Sequence, residues 1–94
     1  MSKALNKIAI EAEQIVKKGQ QIYRRVKKQY DPKYRGKYLA IEVKSGDVFF
    51  GKDGVKASQR SLSKYPDRKV FLQKIGFDSA EVMLNWYLSH PRHG

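Results

Sequence analysis

Residues 38–50 read YLAIEVKSGDVFF, a pattern typical of a β-hairpin. Leu39, Ile41 and Val43 share one side of an extended chain, and residues 38, 40 and 42 share the other, which predicts a half-buried strand. The next three residues, SGD, have turn chemistry because Gly46 can adopt a positive φ angle. Residues 48–50 then predict the returning strand.

The segment after the hairpin predicts a helix and a third strand. Asp53 can cap a short helix, and the sequence YPD at residues 65–67 can end it, since the residue before proline avoids helical backbone angles. Val55, Leu62 and Tyr65 give this helix a thin apolar stripe. Residues 70–75, VFLQKI, predict a strand that Gly76 closes. We therefore expect an α+β fold in which residues 36–76 form a ββαβ domain with a three-stranded, mostly antiparallel sheet.

Residues 1–31 predict a long basic amphipathic helix. Its apolar residues recur at spacings of three and four, and Asp31-Pro32 can end it. Gly19 stands within the apolar stripe, where glycine costs about 1 kcal/mol relative to alanine. It could mark a kink, a break into two helices or a point where another backbone comes close, and we favour a continuous helix. One helix on the sheet leaves the other sheet face open, so the stripe is expected to pack on this domain or on a second copy.

The C-terminal segment, residues 77–94, predicts a short helix and a tail, with the three parts of the chain forming one folded unit. Asp78 followed by Glu81 is a typical helix start. The apolar run at residues 82–88 also fits a buried strand, because short apolar runs are ambiguous in periodicity. We favour the helix.

Positive charge is concentrated in the first part of the chain. The net charge is +11, of which residues 1–38 carry +8, from 11 Lys and Arg against 3 acids. Clustered cations attract polyanions, so we expect this region to bind nucleic acid, a nucleoprotein assembly or an acidic protein surface. No sequence-specific binding motif is present, so such binding would depend mainly on contacts with the phosphates of the nucleic-acid backbone. The candidate polyanion-binding residues are Lys17, Lys18, Arg24, Arg25, Lys27, Lys28, Lys33, Arg35 and Lys37.

Tyrosines are interleaved with these cations at positions 23, 30 and 34. Aromatic side chains can stack on unpaired bases, which favours a nucleic-acid interface. Tyr23 and Tyr30 fall on the apolar stripe, however, and could instead face the core, with Tyr34 packed in the linker. The basic face could also be merely solvated, and a membrane-surface helix is a weaker alternative because the stripe lacks Trp and Phe.

A second interpretation assigns function to the apolar stripe of the N-terminal helix. In that case the protein is a protein-interaction partner, such as an antitoxin-like neutraliser or an assembly adaptor, or it forms a homodimer through this stripe. The candidate partner-interface residues are Ile8, Ile15, Ile22 and Val26.

Catalytic and metal chemistry is not indicated. The chain has no cysteine, and His90 and His93 have no neighbouring carboxylate and flank a proline. Carboxylates are not paired at a readable spacing, and Ser61 and Ser63 have no residue placed to activate them. We therefore expect no enzyme activity, no cofactor and no metal. No apolar run is long enough for a signal peptide or a membrane span, which predicts a soluble cytoplasmic protein.

The central part of the chain resembles a widespread family of small uncharacterised bacterial proteins. The matching stretches are YRGKYLAI at 34–41, GD at 46–47, FGKD at 50–53, KYPD at 64–67 and LQKIG at 72–76. The resemblance implies a compact ββαβ module, and some members are encoded beside a second small gene in the manner of toxin–antitoxin pairs. It supplies no functional residues. The basic N-terminal helix and the Trp-containing tail depart from the family pattern.

Overall fold

The computed structural model describes residues 3–78 and 80–83 and has an α+β fold, as predicted. Its elements are α1 (Lys3–Tyr30), β1 (Tyr38–Glu42), β2 (Asp47–Gly51), α2 (Gly54–Lys64), β3 (Val70–Lys74) and β4 (Ala80–Met83). The strands form one sheet in the order β2-β1-β3-β4, and every neighbouring pair is antiparallel.

The sheet is the middle layer of three, because a helix covers each face. Leu39 and Ile41 of β1 belong to the core cluster that α1 joins, whereas Ala40 packs in the cluster beneath α2. All three are fully buried. The alternation of β1 is therefore as predicted, but its second side is covered rather than solvated. The N-terminal helix packs on its own domain.

Helix α1 is continuous through Gly19, as predicted, and Gly19 marks a close approach to the sheet. A Cβ atom at this position would lie 2.9 Å from Cδ1 of Phe71 and closer still to Cγ. Phe71 is the second residue of β3 and is fully buried. The missing side chain thus lets the helix seat directly on an aromatic ring.

Helix α2 begins and ends where the sequence indicates. The Asp53 side chain accepts a hydrogen bond of 2.9 Å from the Lys56 backbone N–H, and Tyr65 is the C-cap. The buried face of the helix consists of Ala57, Ser58 and Ser61. Val55 is 48% exposed, so its assignment to the packed stripe is wrong. Small residues bring α2 close to the sheet and leave the bulkier valine outside.

The segment after β3 differs from the prediction. Ala80–Met83 is a fourth strand that pairs with β3 from Gln73↔Ala80 to Val70↔Met83. A helix through these residues is therefore wrong, and the sheet has four strands rather than three. Strand β3 is buried on both faces, and β4 supplies hydrogen-bonding partners for the edge that β1 does not pair. The rest of the predicted C-terminal helix, from residue 84 on, lies outside the described residues.

Candidate polyanion-binding surface

Six cations lie on the solvent side of α1, and we call them the basic face. At about 100° per residue, Lys17, Arg24 and Lys28 fall within about 40° of one another around the helix axis, opposite the buried stripe. They span about 17 Å of axis at 1.5 Å per residue. All members of the basic face are exposed, and they are Lys17, Lys18, Arg24, Arg25, Lys27 and Lys28.

The other three predicted cations follow α1 in residues 31–37, and all three are exposed. The Arg35 guanidinium donates two hydrogen bonds to Asp31, of 3.0 and 3.2 Å. These hydrogen bonds lower the pKa of Asp31 and raise the pKa of Arg35. Lys33 lies 5.4 Å from the centre of the Tyr34 ring. Arg35 therefore helps to hold this turn, while Lys33 and Lys37 extend the positive surface beyond the helix.

The ion pairs of the described residues lie outside the basic face, although the charge of Lys27 helps to lower the pKa of Asp31. They join Arg35 to Asp31, Lys64 to Asp47, Arg68 to Glu42 and Lys69 to Glu11. None of the four includes a member of the basic face. Its positive field is therefore directed outward, where it can act on an anionic partner.

Glu42 is a buried acid, and its charge is already compensated. Its carboxylate accepts hydrogen bonds from the backbone N–H groups of Lys44 (3.0 Å) and Ser45 (2.9 Å) and from Arg68 (2.9 Å). Burial alone would raise the pKa of Glu42, but the hydrogen bonds from Ser45 and Lys44 outweigh it, so the pKa lies below its ordinary value. Glu42 and Lys18 line the same groove without pairing.

The tyrosines near the cations face the core. Tyr23 is buried, and its hydroxyl accepts a 2.9 Å hydrogen bond from the Gly76 backbone N–H. The rings of Tyr30 and Tyr34 lie 6.2 and 4.9 Å from the ring of Phe50. Of the two alternatives left open by the sequence, packing in the core is the one observed, so these rings are not a base-stacking platform.

The apolar stripe of α1 is intramolecular core, which contradicts its assignment as a partner interface. Ile15 and Ile22 are 7% and 4% exposed and join Phe71 in one cluster, and Val26 packs against that cluster. The side chain of Ile8 lies outside the described residues. Among the described residues, Ile15, Ile22 and Val26 therefore pack on the sheet face that the helix covers, and a protein partner or a second copy stays a prediction.

Two features were missed from the sequence. A smaller group of exposed cations lies on the opposite side of the sheet from α1. It consists of Lys52, just before α2, and of Lys56 and Arg60 within α2. Their spacing of four residues is the signal that the sequence offers for this group. Phe77, which was assigned to a C-terminal helix, is 48% exposed and lines a groove beside Arg24 and Lys27.

Within residues 3–78 and 80–83, no three His, Asp or Glu side chains are grouped to hold a metal ion. His90 and His93 lie outside this range. No helix in the described part of the chain is long and apolar enough to cross a membrane.

No protein-family model matches the chain, and no curated protein or solved structure is detectably similar to it. The resemblance over residues 34–76 and the antitoxin-like role that it implies therefore stay predictions.

Proposed function

We propose that this chain is a non-enzymatic binding protein whose basic face docks on nucleic acid or on a nucleoprotein assembly. One observation carries the proposal: six exposed cations lie on one helix, and none of them forms an ion pair among the described residues. The helix is fixed by its packing on the sheet. The cations are therefore presented as a stable surface rather than on a mobile arm.

The composition around the cations favours a phosphate backbone over an acidic protein. The polar residues between them are glutamines at positions 20, 21 and 29, which are exposed. Protein interfaces usually have a buried core of apolar or aromatic residues, and this stretch of α1 turns all of its large apolar side chains towards the sheet. A uniformly charged surface suits a ligand with regularly repeated negative charge. The proposal places the protein in the cytoplasm, where nucleic acid is accessible.

Two triple variants with the same change in charge test the proposal. The α1 variant carries Lys17→Gln, Arg24→Gln and Lys28→Gln on the basic face. The α2 variant carries Lys52→Gln, Lys56→Gln and Arg60→Gln on the opposite side of the sheet. All six positions are exposed, so each variant should fold like the wild type. Both lower the net charge of +11 by three.

Binding is measured by fluorescence anisotropy with labelled DNA and RNA oligonucleotides across about 50 to 200 mM salt. Affinity of the wild type should fall steeply with salt, because phosphate contacts release counterions. The α1 variant should lose affinity by orders of magnitude, and its log–log salt slope should be smaller by about 2 to 3, at roughly 0.9 per lost phosphate contact. The α2 variant should stay close to the wild type.

Equal losses in the two variants would attribute binding to net charge alone and would contradict a role for the basic face. A salt-independent affinity, or no binding at low salt, would reject the proposed function altogether.

A further inference from the structure

Phe77 is an exposed aromatic residue in a cationic setting. It follows β3 at the turn that leads to β4, and it is 48% exposed. With Arg24 and Lys27 of α1 it lines a groove of about 320 Å³, together with Gln20, Tyr23, Gln73 and Asp78. The Lys74 ammonium lies over one face of the Phe77 ring, 4.8 Å from its centre, and adds a further positive charge.

The backbone that carries Phe77 is firmly held. The Gln73 side-chain amide donates hydrogen bonds to the carbonyl oxygens of Phe77 (2.6 Å) and Lys74 (2.9 Å). The preceding residue, Gly76, donates its backbone N–H to the Tyr23 hydroxyl on α1 at 2.9 Å. The backbone at Phe77 is therefore held in place relative to the basic face, so the ordering of this turn adds little to the entropy cost of binding.

The groups along this groove match the parts of a nucleotide. An aromatic ring stacks on any base, and Arg and Lys contact the phosphates on either side. The Tyr23 hydroxyl accepts the Gly76 hydrogen bond and keeps its own proton available for donation. Gln20 offers both a donor and an acceptor. Asp78 is the one acid in the lining, against the two cations Arg24 and Lys27.

We propose that this groove binds an unpaired nucleotide of a single-stranded nucleic acid, with Phe77 stacking on the base and Arg24 and Lys27 contacting the phosphates. The inference rests on the proposed function and specifies its ligand as single-stranded. In a duplex the base faces are stacked on their neighbours, so the Phe77 ring cannot stack on them. A splayed single strand offers base faces and phosphates together.

The test compares Phe77→Ala and Phe77→Tyr with the control Val55→Ala, which removes an equally exposed apolar side chain from α2. Three labelled ligands of equal length are titrated at low salt: a single-stranded oligothymidine, an abasic strand with the same phosphates, and a duplex. The wild type should bind the oligothymidine more tightly than the abasic strand. Phe77→Ala should weaken binding of the oligothymidine roughly 5- to 150-fold, the range that stacking on one base supplies.

Binding of the abasic strand and its salt slope should be unchanged in Phe77→Ala, since no charge is removed. Phe77→Tyr should restore binding of the oligothymidine, and Val55→Ala should match the wild type with every ligand.

Equal affinity of the wild type for oligothymidine and abasic strands, or an equal loss on both in Phe77→Ala, overturns the inference. If the α1 variant loses affinity for all three ligands while Phe77→Ala loses none, this inference fails and the proposed function stands. If the wild type binds none of the ligands at low salt, both fail. Thermal unfolding of each variant verifies that it is folded, which is expected because the ring is half exposed.

Discussion

Gly19 shows how one missing side chain determines the seating of α1. Helix propensity alone predicts that Gly19→Ala stabilises the helix by about 1 kcal/mol. The added methyl group would overlap the buried Phe71 ring, however, and overpacking costs about 1–3 kcal/mol. We expect Gly19→Ala to lower the free energy of unfolding, by about 1 kcal/mol net of the propensity gain, as measured by urea denaturation.

The neighbouring substitution Gln20→Ala provides a control, since Gln20 is an exposed residue of the same helix. It should be neutral or slightly stabilising, because alanine is the best helix former. Combining Gly19→Ala with Phe71→Leu should cost less than the sum of the two single changes, since the smaller side chain makes room. An increase in stability for Gly19→Ala alone would show that propensity outweighs packing at this site.

We expect the free energy of unfolding to depend on pH through Glu42, and the hydrogen bonds that its carboxylate accepts fix the sign of this dependence. Its pKa is below the ordinary value of 4.5 in the folded protein. The unfolded chain therefore binds a proton more readily, and the stability from Glu42 is present above about pH 4.5 and is lost as the pH falls through the folded value. We expect Glu42→Gln to lower the free energy of unfolding by about 1.5–3 kcal/mol near neutral pH, the usual contribution of hydrogen bonds to a charged group.

Unfolding of the wild type and of Glu42→Gln should be compared from neutral pH down to about pH 3. Asp31 and Asp47 also have lowered pKa values, Asp47 through its hydrogen bonds from Tyr65 and Lys64. They titrate in both proteins, so the difference between the two curves isolates Glu42. That difference should narrow at acidic pH, and a constant difference would contradict the assigned charge state.

At the scale of the element, α1 is part of the folding unit. Ile22 is 4% exposed within the core cluster, whereas Ile10 of the same helix is 54% exposed. A buried unpaired charge belongs to the small class of severely destabilising changes, which exceed about 4 kcal/mol. Ile22→Asp should therefore unfold the sheet together with the helix, while Ile10→Asp should leave the thermal unfolding midpoint close to that of the wild type. Circular dichroism of the two variants measures this difference.

If Ile22→Asp instead kept the sheet folded and melted only α1, the helix would be a separable arm and its apolar stripe would again be available to a partner.

How far the sequence predicts this molecule also varies between elements. The alternation of β1, the Asp53 cap and the periodicity of α1 are local signals, and each of these elements forms where its pattern indicates. Ala80–Met83 forms a strand despite an adjacent helix-start signature, because the buried edge of β3 is a tertiary constraint that no local pattern contains. In the same way, periodicity placed the cations on an exposed face, but it could not show whether Tyr23 and Tyr30 met the core or a ligand.

At the scale of the whole molecule, repulsion among the surface cations lowers the stability of the folded state, whereas the small core raises it. At a net charge of +11, the cations repel one another in the compact state, and the basic face adds to this repulsion without forming an ion pair among the described residues. The exposed ion pairs elsewhere are worth little, so salt should screen more repulsion than attraction. We expect the thermal midpoint of the wild type to rise between about 0.02 and 0.2 M sodium chloride.

The α1 variant, Lys17→Gln with Arg24→Gln and Lys28→Gln, should be at least as stable as the wild type at low salt, and its midpoint should rise less with added salt. Replacing Lys28 removes a favourable charge from the last turn of α1, a modest effect that the relief of repulsion should exceed. Lower stability of this variant at low salt would mean that these cations serve the fold. Higher stability, combined with lost binding, would show that these cations destabilise the fold and act on a ligand, and equal stability with lost binding would show that they act on a ligand without a cost to folding.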